Sequence, residues 1–120
     1  MEPNGNPPVD LVAFRSAMRD LGADDIVEQI LTVYVEEARS FFSSLSAAVS
    51  SGDVETIRFA AHTLRSSSGN IRANDLAGLL EHLEIAAQEG DLPRATQLFD
   101  RVKPMYEAVI AYLADRGATE

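Results

Sequence analysis

Cysteine is absent from the 120-residue chain, so disulfides and thiolate metal sites are excluded and a reducing, cytoplasmic setting is expected. Long apolar runs are missing too: no stretch approaches the roughly 18–20 residues a membrane helix needs. Positive charge is scarce. Ten Lys and Arg stand against 19 Asp and Glu, and the net charge of −9 argues against nucleic acid and anionic membranes as partners. A local cluster of arginines is therefore informative. No segment shows strand alternation between turn signals. There is no Gly-rich phosphate loop and no kinase-type motif, so ATP binding is not expected. Residues 1–8 are rich in Pro, Asn and Gly without a basic or apolar segment, and read as a disordered leader rather than a signal peptide. Residues 117–120 read as a disordered tail.

What the chain does have is a 46% apolar content, enough for one globular domain over residues 9–116 with a core of its own. The starting Met1 and the polar ends favour a free-standing protein. The apolar spacing is helical throughout. Leu11, Phe14, Met18 and Leu21 predict a short first helix ending at Gly22. Val27, Leu31, Tyr34, Ala38, Phe41, Leu45 and Ala48 predict a long second helix over residues 24–50, closed by Ser51-Gly52. Asp53 caps a third, running to about Arg72 on the stripe Ile57, Ala60, Ala61, Leu64, Ser68 and Ile71. Asn74 is the expected cap of a fourth, with Leu76, Leu79, Leu80, Leu83 and Ala87 inward and Gly90 at its end. Asp91 caps the last helix, in which Pro104 predicts a kink or break. Amphipathic stripes must be buried against one another. The economical arrangement is an all-α, antiparallel up-and-down four-helix bundle with a short extra N-terminal helix.

One face of the third helix breaks local rules. At about 100° per residue, His62 lies roughly 140° from the centre of the apolar stripe and points to solvent. Arg58, Arg65, Ser66 and Gly69 share its face, with Phe59 also off the stripe and Arg72 a little further along. Three arginines on one helix are unusual in an acidic protein. Gly69 costs about 1 kcal/mol relative to alanine inside a helix, and Ser66, Ser67 and Ser68 compete for its backbone hydrogen bonds. A plain solvated histidine among arginines paired with residues such as Glu55 is the bland reading. The sharper reading is an exposed nucleophile with steric clearance and a cationic flank, a combination suited to phosphoryl chemistry.

The segment Ala61-His62-Thr63-Leu64-Arg65-Ser66-Ser67-Ser68-Gly69-Asn70-Ile71-Arg72-Ala73 resembles the signature of histidine-containing phosphotransfer (HPt) domains. That pattern has His, Leu two on, a basic residue three on, small residues, then Asn, an apolar residue, Gly and Ala. Leu76-Ala77 and Leu83-Glu84 look like the family's next helix. The resemblance implies a phosphorelay intermediate of two-component signalling. His62 would accept a phosphoryl group through Nε2 from the aspartyl phosphate of a response-regulator receiver domain and pass it to another receiver. Arg65 stands where the family has a basic residue near the phosphoryl group, and Glu84 where a side chain orients the imidazole. Neutral imidazole that donates Nδ1–H to a carboxylate leaves Nε2 as the nucleophile. The resemblance further implies a phosphocarrier, not an enzyme with kinase activity of its own. It implies no cofactor in this chain, Mg2+ on the receiver, and receiver domains or a hybrid sensor histidine kinase as partners to a monomer. Arg58, Phe59, Ser66, Ser67, Gly69 and Arg72 are the expected partner-binding residues, with Arg58 and Arg72 steering electrostatically toward an acidic receiver site.

Two positions depart from the pattern: Ser66 and Arg72 each replace a usual glycine. Neither change removes a proposed chemical group. Rival readings fare worse. His62 and Ser66 form a conceivable catalytic pair, but an exposed helix face offers no oxyanion hole. A carboxylate-bridged metal bundle needs Glu-x-x-His pairs, and the residues three before His62 and His82 are Phe59 and Leu79. The remaining alternative is a scaffold that resembles an HPt domain and docks receiver or kinase domains without transfer.

Overall fold

Aspartates start three of the helices. Asp10, Asp53 and Asp91 precede α1 (Leu11–Asp20), α3 (Val54–Asn70) and α5 (Leu92–Ala114), and their carboxylates accept from the backbone N–H of Ala13, Thr56 and Arg94. Such a cap contributes about 1 kcal/mol. The other helices are α2 (Val27–Ser51), which Gly52 closes in a left-handed turn at φ 72°, and α4 (Asn74–Gln88). The computed structural model describes residues 7–116, all-helical or connecting, with no strand among them. Residues 1–6 of the expected leader and the expected tail at 117–120 lie outside the described residues; Pro8, within the leader span, is buried.

Around the bundle, α2 packs on α3, α3 on α4, α4 on α5, and α5 returns to α2. The buried stripes meet in one core, with Leu31, Leu45, Ile57, Leu64, Leu76, Leu80, Leu83 and Leu113 among its least exposed side chains. This is the expected bundle, and α1 is its short extra helix. No helix among the described residues is long and apolar enough to cross a membrane. The single buried polar side chain among them is Ser68, whose hydroxyl lies 2.8 Å from that of Tyr34 and ties α3 to α2. Burial pushes the Tyr34 hydroxyl up to about 12, only partly offset by the bond to Ser68. Ser68→Ala is expected to leave the Tyr34 hydroxyl buried without its partner and to cost about 1–3 kcal/mol, read as a lower urea midpoint.

Several local expectations need correcting. Leu21, placed on the apolar stripe of the first helix, is 78% exposed because α1 has already ended at Asp20. The second helix begins with a separate 3-10 turn, Asp24–Ile26. Asn74 is the first helical residue of α4 rather than its cap; Ala73 takes that position without a side-chain bond. Pro104 neither ends nor interrupts α5. Proline leaves the carbonyl four residues earlier without its donor, and both Asp100 and Pro104 are exposed, so that carbonyl is not stranded in the core.

The third helix stops at Asn70, short of Arg72. Arg72 adopts φ 70°, the only positive φ at a non-glycine among the described residues. Its N–H donates to the Gly69 carbonyl at 3.0 Å, that of Ala73 to Ser68 at 2.9 Å, and its own carbonyl accepts from Asp10 at 3.0 Å. One turn thus closes α3, leads into α4 and anchors the chain ahead of α1. The left-handed conformation explains why glycine is usual here, since a Cβ costs about 1–2 kcal/mol in it. Arg72→Gly relieves that strain but frees the unfolded chain. A net gain of about 0.5–1 kcal/mol is expected, seen as a higher urea midpoint at unchanged slope.

Candidate functional site

α3 sits between α2 and α4. Ile57, Ala60, Ala61, Leu64 and Ser68 hold its inner face in the core, which turns the opposite face outward by helical geometry alone. His62 stands on that outer face with its side chain 54% exposed. Across the α3–α4 seam, Leu80 and Leu83 anchor α4, and Glu84 follows directly at the rim with its side chain 16% exposed.

The two meet. Nδ1 of His62 lies 2.8 Å from Oε2 of Glu84. Nε of Arg65 donates to the other carboxylate oxygen, Oε1, at 2.9 Å. Burial by itself would raise the Glu84 carboxyl, but the hydrogen bonds from Arg65 and His62, joined by their charges, bring it below its ordinary value of 4.5. At neutral pH it is therefore an anion and can only accept, so Nδ1 is the donor in this pair. The neutral ring then carries its lone pair on Nε2. Nη2 of Arg65 comes within 3.2 Å of Nδ1. With the proton on Nδ1, this contact places two donors beside one carboxylate rather than a bond between them.

The other expected residues take different places. Arg58 is exposed and pairs with Glu55 at 3.3 Å, an exposed contact of little strength. Phe59 is 59% exposed, with its ring centroid 6.2 Å from that of Phe41 on α2. The serine run splits three ways. Ser66 is exposed, the Ser67 hydroxyl turns back to the Leu64 carbonyl at 3.2 Å, and Ser68 is buried. A Cβ added at Gly69 would meet only Ala77 Cβ at 3.9 Å, so packing does not demand glycine there. Arg72 is not on the His62 face of α3 at all; it lies beyond the helix, in the turn to α4.

An open groove of about 430 Å³ begins next to the histidine, between Arg65, Ser66 and Gly69 of α3 and Ala77, Gly78 and Glu81 of α4. The sequence pattern does not single out the α4 side of this groove, nor Ile85, 43% exposed beside Glu84. The readable signal was helical spacing back from Glu84, which puts Glu81 and Ala77 on one face. Among the described residues, no group of His, Asp and Glu is placed to hold a metal.

A family model described as Hpt domain matches residues 29–112, the span from early α2 nearly to the end of α5. Among solved structures, the chain is similar to histidine-containing phosphotransfer protein B (HptB) from Pseudomonas aeruginosa PAO1. The two share 27% identity and superpose with a TM-score of 0.81, covering 95% of this chain and 96% of that one. No curated protein sequence matches the chain.

Proposed function

The chain belongs to the Hpt domain family and so has a phosphotransfer role in two-component signalling; on that premise we propose that His62 is its phospho-acceptor, in a cytoplasmic relay between receiver domains. The observation that carries this reading is the 2.8 Å pairing of His62 Nδ1 with the Glu84 carboxylate on an otherwise open helix face.

The step follows from that geometry. A receiver docks with its aspartyl phosphate in line with Nε2. The Nε2 lone pair attacks phosphorus, the P–O bond to the receiver's aspartate breaks, and that carboxylate leaves with the bonding electrons. The Nδ1 proton stays in place throughout. The ring gains positive charge, which the Glu84 anion offsets at contact distance. Onward transfer is the same step reversed, onto a second receiver's aspartate. Such chemistry is mostly positioning and charge stabilisation, and Mg2+ belongs to the receiver rather than to this chain. In this reading the protein is a phosphocarrier and a monomer, and its partners are receivers or a hybrid sensor histidine kinase. Phe59 supplies apolar contact and Arg58 a displaceable cation, with clearance from Ser66 and Gly69. Ser67 and Arg72, turned into the helix and beyond its end, contribute less than their sequence positions suggest.

The test is transfer itself. Incubation with phosphorylated receiver domains is expected to give acid-labile, base-stable label on the wild type and none on His62→Gln. A wild type that binds receivers but takes no label from any of a panel is a docking scaffold, and the relay reading fails.

A further inference from the structure

We infer that Arg65 is a positioning residue, acting on His62 through Glu84 rather than on the phosphoryl group; this rests on the reading of His62 as acceptor. A basic residue three after the acceptor invites the simpler idea that its charge meets the incoming phosphate. The geometry points elsewhere. The guanidinium turns its Nε toward α4 and gives that hydrogen to Glu84 Oε1 at 2.9 Å, while its Nη2 lies 3.2 Å from Nδ1. Nδ1 is the ring nitrogen that is not phosphorylated. The Arg65 side chain is 33% exposed, against 54% for the histidine, so it is the more deeply set of the two, with its Nε committed to the α3–α4 seam.

The arrangement has a physical purpose. A glutamate near a helix rim has three rotatable bonds and otherwise orders itself only at an entropic cost. With one oxygen gripped by Arg65, the other is left aimed at Nδ1. The ring is thereby held in one orientation and one tautomer before a receiver arrives. Arginine suits this because its planar fork presents donors in fixed directions, whereas lysine would supply a mobile point charge. Arg65 comes from the same helix as His62 and Glu84 from the next, so the ion pair also holds α3 and α4 in register at the level of the site.

A positioning role and direct phosphate contact differ in a double-mutant cycle. The rate of phosphoryl uptake from a phosphorylated receiver is measured for wild type, Arg65→Gln, Glu84→Gln and the double variant. In parallel, 15N shifts of the His62 ring report its tautomer in the unphosphorylated proteins. Arg65→Gln alone is expected to slow uptake on the order of 10-fold. It should also convert a single Nδ1–H tautomer into a mixture. In the Glu84→Gln background it should slow uptake by less than about 2-fold, because the group it acts through is already gone. Equal slowing in both backgrounds, or slowing with the wild-type tautomer intact, would mean direct contact with the phosphoryl group and overturn the inference. The ring measurement needs no phosphate. A mixed tautomer in Arg65→Gln therefore stands even if His62 proves not to be the acceptor, and an unchanged tautomer defeats the inference even if it is.

Discussion

Glu84→Gln is expected to slow phosphoryl uptake at His62 by roughly 100-fold while leaving the bundle folded. The amide keeps the size of the side chain but not its charge. It can still accept from Nδ1–H, yet it no longer offsets the positive charge that forms on the ring, and it can equally present its NH2 to Nδ1 and favour the wrong tautomer. The loss falls on transfer rate at saturating receiver rather than on receiver affinity, since Glu84 is mostly covered and faces the seam. Single-turnover transfer over a range of receiver concentrations separates the two. Stability carries a second signature. Glu84 is held below its ordinary value of 4.5 in the folded protein, chiefly by Arg65 and His62 working against burial. The unfolded chain therefore binds a proton at higher pH than the folded one. The stabilisation of wild type over Glu84→Gln is fully present above the ordinary value and fades as pH falls through the lowered folded value. Urea melts of both proteins across the acid range check the sign. A difference that widened toward low pH would contradict an ionised, paired Glu84.

Leu64→Ala should do the reverse, with a large loss of stability and little change in chemistry. Leu64 is wholly buried, two residues from His62 but on the opposite face of α3. Truncation removes transfer free energy and leaves a cavity that helices anchored on both sides of α3 cannot close, at a cost of about 2–5 kcal/mol. Against a total of roughly 5–15 kcal/mol for a domain, that is a substantial share. The urea midpoint should drop sharply, while the transfer rate per folded molecule stays within about 2-fold because the His62, Glu84 and Arg65 contacts lie at the rim. Together the two variants separate the buried face of α3 that holds the fold from the α4 carboxylate that supports the proposed transfer.

Much of this was legible in the one-dimensional pattern. Stripes at helical spacing locate the five α-helices of the described residues, and Asp53 and Asp91 mark two of their starts. Helical periodicity alone put His62 on solvent, because a stripe that must be buried dictates the direction of every residue off it. The failures were local and have local causes. The spacing carries the third helix to about Arg72 because side-chain type does not reveal backbone φ, and a long polar residue gives no warning of a left-handed turn. Ser66, Ser67 and Ser68 look alike in sequence, but a step of about 100° per residue sends one outward, one into its own helix and one into the core.

Local pattern is therefore enough for the helices, their buried faces, the outward histidine and, through the motif around it, the family. What surrounds that histidine depends on how the helices pack. Glu84 lies 22 residues from His62 and 19 from Arg65, and no helical spacing brings such residues together. They meet because α3 and α4 pack antiparallel, with Gly69 opposite Ala77 towards one end of the seam and His62 opposite Glu84 further along. That register aims the Arg65 guanidinium at a carboxylate, not at solvent. The same arginine, read from the sequence as a partner for phosphate, becomes in three dimensions the brace of the imidazole's own partner.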